Sequence, residues 1–175
     1  MKALRLIFIL ISILLLPTLV KADPLNMFKK RLVHLCPAIN GRLMDGDKPL
    51  KEVTIKRGIA YGELYEDETI TDKEGKFSFP IHEYETRKPL NPLDEKRVLT
   101  YLFVEIDGEK KDIWYSTINS LSPIDKLSAS LSELNCDINE PDKVFSISHG
   151  RENKITNEIY TLCSLELLTY KGLYE

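Results

Sequence analysis

Beyond its first two dozen positions, the chain is dominated by short runs in which apolar and polar residues alternate. In AINGRLM (Ala38 to Met44), Ile39, Gly41 and Leu43 fall on one face, the period-2 signature of a half-buried strand. VTIKR (Val53 to Arg57) repeats it, with Val53 and Ile55 facing inward. Between them, DGDKPL (Asp45 to Leu50) joins an Asp-Gly pair to a proline, which is turn chemistry. TDKEGKFSFP (Thr71 to Pro80) reads as a hairpin. Asp72 is placed to accept hydrogen bonds from the turn backbone. Gly75 is placed to take the left-handed conformation that ends a type I turn with a bulge. Phe77 and Phe79 then share the core-facing side, and Pro80 lacks the N–H that a further ladder position needs.

The strongest strand pair is RVLTYLFVEIDGEKKDIWYS. Val98 to Ile106 runs out, Asp107-Gly108 turns, and Asp112 to Ser116 returns. Trp114, the only tryptophan, is assigned to the core, where large aromatics dominate packing. KVFSIS (Lys143 to Ser148) and IYTLCSLEL (Ile159 to Leu167) read as further strands. Residues 123–134 fit either a helix, through Ile124, Leu127, Leu131 and Leu134, or a loop followed by a strand. Residues 58–67 read as a loop, and so do the polar, proline-containing residues 81–96. Strand after strand at short spacing predicts an all-β, antiparallel β-sandwich.

The N-terminus changes the picture of where this domain works. Lys2 and Arg5 precede an apolar run from Leu6 to Leu16, Pro17 breaks it, and Val20-Lys21-Ala22 supplies a cleavage site. This predicts a signal peptide over residues 1–22 and export to the periplasm or medium, with no stable membrane insertion after cleavage. Residues 23–35 form a lead-in. Three of the 24 Lys+Arg and none of the 27 Asp+Glu lie in residues 1–22, so cleavage moves the net charge from −3 to −6. An acidic chain without a basic stripe argues against nucleic acid as a partner. Cys36, Cys136 and Cys163 would then stand in an oxidising compartment, where any one of three pairings leaves an odd thiol.

INGRLMDGDKPLKEVTIKR followed by ETITDKEGKFSFP resembles the carboxypeptidase regulatory-like, transthyretin-like β-sandwich. That module repeats a strand, a G-x-P-L turn, a strand ending near Arg and a T-D-x-x-G-x-F-x-F-P hairpin. With Trp114 after an Asp-Gly hairpin, LNCD at Cys136 and TLCSLE at Cys163, the order is similar to a bacterial domain-of-unknown-function family built on that sandwich. The resemblance runs from about Cys36 to Glu166. It implies a transthyretin/prealbumin-like, Ig-like Greek-key domain over residues 36–166, with 167–175 as a tail. It also implies a Cys136–Cys163 disulfide that leaves Cys36 as the odd thiol.

No catalytic constellation emerges. His82-Glu83 starts an H-E-x-x-H pattern, but residue 86 is Thr, so the second zinc ligand is missing. His34, His82 and His149 are far apart in sequence. Cys36 and His34 lack an orienting third group. Glu66-Asp67-Glu68 reads as a solvated acidic loop. Tyr170-Lys171-Gly172 is similar to the C-terminal Y-R-G-S of transthyretin-like hydroxyisourate hydrolases, with Lys for Arg and Leu for Ser, and Lys does not reproduce the planar fork of Arg. The expectation is a non-catalytic protein without cofactor or metal that binds a protein or cell-envelope component through loops 58–67 and 81–96. Two alternatives are an envelope structural domain without a discrete ligand and an immunity-type protein that neutralises an imported toxin.

Overall fold

Alternating burial sets the architecture of the chain, for which a computed structural model describes residues 30–88, 96–150 and 154–172. In β8 (Arg97–Ile106), Val98, Thr100, Leu102 and Val104 are buried and the residues between them are not. β9 (Glu109–Asn119) returns antiparallel through Asp107 and Gly108, which both adopt positive φ (53° and 82°). Two consecutive positive φ values match the right-handed twist of a two-residue hairpin. These strands centre a seven-stranded antiparallel sheet. β4 (Thr54–Tyr61) and the edge strand β5 (Glu63–Ile70) lie on one side. β12 (Ile155–Thr161), β11 (Lys143–His149) and the short β14 (Thr169–Tyr170) follow on the other.

A five-stranded sheet is built around β2 (Ile39–Asp45). β2 pairs antiparallel with β3 (Lys48–Pro49) and β6 (Lys76–Phe79), and parallel with β10 (Leu134–Asp137), which carries β13 (Cys163–Ser164). Ile39, Leu43, Phe77, Phe79 and Leu134 of this sheet join Ile55, Ile59, Leu102, Trp114 and Ile159 of the larger one in a single core. The result is a mostly antiparallel, sandwich-like fold. A bulge at Leu102/Phe103 of the β8–β9 ladder leaves Ile113 without a partner there, and both it and Trp114 are buried. Trp114 Nε1–H donates to Ser116 Oγ (2.9 Å), so the indole is buried with its donor satisfied.

Several elements depart from the sequence expectation. The lead-in contains β1 (Arg31–Cys36), which pairs with β7 (His82–Thr86) from the segment read as the 81–96 loop. Residues 58–67 are not a loop. They are the heart of the β4–β5 hairpin, which turns at Gly62 (φ 71°). β5 carries charge on both faces, as an edge strand does to block further pairing, and this hid its period-2 pattern. Within residues 123–134 the helical alternative holds as α1 (Asp125–Leu131). It has no side-chain N-cap and is held by burial of Leu127 and Leu131. The tail contains β14. The signal-peptide reading of residues 1–22 lies outside the described residues. Among the described residues, no helix is long and apolar enough to cross a membrane.

Candidate functional site

The Thr71–Pro80 stretch is a structural joint. Asp72 Oδ1 accepts from the backbone N–H groups of Glu74 and Lys76, both at 2.8 Å. The Lys76 N–H bond is the leading reason its carboxyl is held below the ordinary range. Gly75 (φ 76°) presents its carbonyl to Leu43 N–H (2.8 Å). Phe77 and Phe79 enter the core edge-to-face, with ring centroids 6.4 Å apart. The Pro80 carbonyl accepts from Nη1 of Arg57 (2.8 Å). Arg57 is 1 % exposed, forks onto Asp67 through Nε (2.8 Å) and Nη2 (2.5 Å), and stacks 4.8 Å from the Phe79 ring centre. Asp67, read as part of a solvated acidic loop, is therefore the counter-ion that permits a guanidinium inside the sandwich.

The cysteines separate by role. Cys136 and Cys163 face each other across β10 and β13 and form a disulfide. Cys36 is free and buried, and burial pushes its thiol pKa up to about 11 against the pull of Arg57. Such a thiol stays protonated, so it is inert as a nucleophile. His34 is buried nearby on β1, and the ladder is irregular between the two residues. Its Nδ1 has no hydrogen bond and lies 3.7 Å from Glu83 Oε2; burial lowers its pKa despite that carboxylate. The space lined by His34, Cys36, Trp114 and α1 is about 20 Å³, which holds roughly one water and leaves no room for a substrate. His82 contacts Tyr65, with ring centroids 4.7 Å apart, and His149 Nε2 lies 2.7 Å from Asn157 Oδ1. The three histidines do not converge, and among the described residues no cluster of His, Cys, Asp and Glu is arranged to hold a metal ion.

A different site stands on the outer face of the seven-stranded sheet. Gly58, Tyr101, Tyr115 and Tyr160 are successive cross-strand neighbours on β4, β8, β9 and β12. At one end of this row the aromatic surface is already occupied by cations, because Lys110 Nζ sits 4.5 Å over Phe103 and 5.9 Å from the Tyr101 ring centre. At the other end Tyr115 and Tyr160 meet edge-to-face at 6.2 Å and stay 43 % and 42 % exposed.

Beside the two tyrosines the strands part. The β9–β12 ladder covers Trp114–Ser116 opposite Ile159–Thr161 and goes no further. Beyond it Asn157, itself only 6 % exposed, bridges the gap by accepting from Asn119 N–H at 3.4 Å. The opening is a cleft of about 480 Å³. Tyr115, Tyr160, Thr117, Thr156 and Arg97 line it. Glu158 is clamped there by Lys171 Nζ (3.1 Å) and the Tyr160 hydroxyl (2.9 Å). The Lys171 bond is the first cause of its lowered pKa. Lys171, read in sequence only as part of the Tyr170-Lys171-Gly172 tail, thus closes one wall.

The family model described as Domain of unknown function (DUF6795) matches residues 39–141, more than half of the chain. The chain belongs to the DUF6795 family. Neither a curated protein nor a solved structure matches it. The DUF6795 match is shorter than the resemblance from Cys36 to Glu166. It spans β2 to β10 and ends before Cys163. The cleft therefore takes Arg97, Tyr115, Thr117 and Asn119 from the DUF6795 segment and Thr156, Asn157, Glu158, Tyr160 and Lys171 from beyond it. Sequence reasoning missed this site because its halves are joined only by sheet pairing. The available signal was a tyrosine at the outward position of each of two core strands.

Proposed function

We propose that this DUF6795 protein is an exported, non-catalytic binding module of a transthyretin-like, Ig-like Greek-key kind, which docks a cell-envelope component on the outer face of its larger sheet. The observation that carries this reading is the exposed Tyr115–Tyr160 pair beside an open cleft. Tyrosine is among the residues most enriched at binding hot spots, since it offers a large rigid face with a polar tip. The loop-based reading gives way to this sheet face, because residues 58–67 are paired strand and 82–86 of the second segment are β7, while 89–95 lie outside the described residues.

Export is supported by the charged, apolar and proline-terminated layout of residues 1–22 and by a disulfide suited to an oxidising compartment. The transthyretin-like assignment is supported by the Thr71–Pro80 hairpin seated on β2. Expression of the full chain in a bacterium, followed by fractionation and sedimentation with isolated envelopes, tests the proposal. The expected result is a processed protein outside the cytoplasm that sediments with envelopes, while a folded Tyr115→Ala/Tyr160→Ala variant does not. Unprocessed cytoplasmic protein, or equal sedimentation of the variant, would refute it.

A further inference from the structure

We infer that the cleft between β9 and β12 is a saccharide site, built for one or two uncharged pyranose rings. The inference rests on the binding-module reading above and names the ligand class.

Three properties of the cleft point the same way. The first is its aromatic wall. The faces of Tyr115 and Tyr160 carry the negative part of the ring quadrupole, and the C–H face of a pyranose is electropositive. Their edge-to-face arrangement, with planes 66° apart, gives an angled wall rather than a flat apolar patch. Lys110, over both Tyr101 and Phe103, leaves the cleft end of the row as its open aromatic surface.

The second is the type of polar group around that wall. Thr117 and Thr156 bring hydroxyls, and Asn119 and Asn157 bring carboxamides. Each of these groups both donates and accepts, as vicinal sugar hydroxyls do. Asn157 is held in advance. Its Oδ1 meets His149 Nε2 at 2.7 Å and accepts the Asn119 N–H, which fixes this buried amide beneath the cleft. A buried amide fixed by two partners loses little freedom on binding.

The third is charge. Glu158 and Lys171 neutralise each other across 3.1 Å, and the chain as a whole is acidic. An anion drawn to Lys171 would have to compete with Glu158, and Arg97, the other cation in the lining, already has an interaction of its own, whereas a neutral polyol can use the outward lone pairs of the carboxylate without breaking the pair. The volume of about 480 Å³ lies in the small-ligand range.

The test uses the purified, disulfide-bonded protein and titration calorimetry with N,N′-diacetylchitobiose, cellobiose and maltose, with inorganic phosphate as the anionic control. At least one disaccharide is expected to bind saturably and phosphate is not. Tyr115→Ala and Tyr160→Ala should each weaken that binding by about tenfold or more. Tyr84→Ala, an exposed tyrosine on β7, should leave it unchanged, and thermal unfolding should show all three variants folded. Failure of all three sugars to bind, or binding that survives both cleft substitutions, would overturn the inference. If sugars fail while envelope sedimentation still depends on Tyr115 and Tyr160, the saccharide assignment falls and the binding-module reading stands. If sugars bind and sedimentation does not occur, the saccharide site stands and docking to the envelope falls.

Discussion

Tyr101 lies across Gly58: a Cβ at residue 58 would stand 2.0 Å from the ring's Cζ and 2.3 Å from its hydroxyl. The hydroxyl continues over β4 and donates to Glu66 on β5 (2.9 Å). One side chain therefore ties three adjacent strands on the outer face, and the glycine is what admits it. Gly58→Ala should displace the ring and cost about 1–3 kcal/mol, the usual range for overpacking. Urea unfolding measures that cost. Burial and Glu66 raise the Tyr101 phenol pKa, so spectroscopic titration of the variant should find it moved back toward 10.0.

Gly75 is less forgiving. Its φ of 76° penalises any side chain, and an added Cβ would meet the Leu43 carbonyl oxygen at 2.4 Å. That neighbour is backbone inside the core sheet and cannot swing away. Gly75→Ala is expected to cost about 2–4 kcal/mol, combining the left-handed penalty with backbone displacement. A variant as heat-stable as the parent would show that the turn is not the joint described above.

The Cys136–Cys163 bridge closes a span of 27 residues that includes β11 and β12. Removing it by a Cys136→Ala/Cys163→Ala double substitution should lower stability by about 3–4 kcal/mol, chiefly by enlarging the unfolded ensemble. Cys36 should remain unreactive to a thiol reagent in the native double variant and react once urea unfolds it. Rapid native labelling would contradict its burial.

His34 gives the fold an acid sensitivity. Burial holds its pKa below 6.5 in the native state, while the unfolded chain takes up a proton near that value. Because the unfolded state binds the proton more readily, stability is complete above about pH 6.5 and falls as pH drops through it. Melting temperatures at about pH 7.5 and about pH 5.5 should differ more for the parent than for His34→Gln, which has no proton to gain. Equal losses would assign the sensitivity to other groups.

These expectations also mark how far the sequence could be read. The β8–β9 hairpin was legible because alternation and Asp107-Gly108 agree, and so was the Thr71–Pro80 turn, where each residue has its own backbone task. β5 and β7 were not legible. An edge strand and a two-stranded ribbon bury little, so they keep polar residues on both faces and imitate loops. Arg57 was invisible as a core residue, because its partner Asp67 sits ten positions away in a run that looks merely acidic. The cleft was hidden for a third reason. Asn119 and Asn157 become neighbours only where a ladder stops, and no periodicity encodes where pairing ends.

The parallel pairing of β2 with β10 sets an order of events. Gly41 lies beside Leu134, with four of the seven strands of the larger sheet, β4, β5, β8 and β9, formed from the chain between them. Closing so long a loop gains little until the intervening hairpins are ordered, so this seam forms after the β4–β5 and β8–β9 pairings. The disulfide lies at this seam, joining Cys136 on β10, beside Leu43 of β2, to Cys163 on β13. Its cysteines are 27 residues apart and pair across β10 and β13, so oxidation acts as a latch that stiffens the strand β2 must receive.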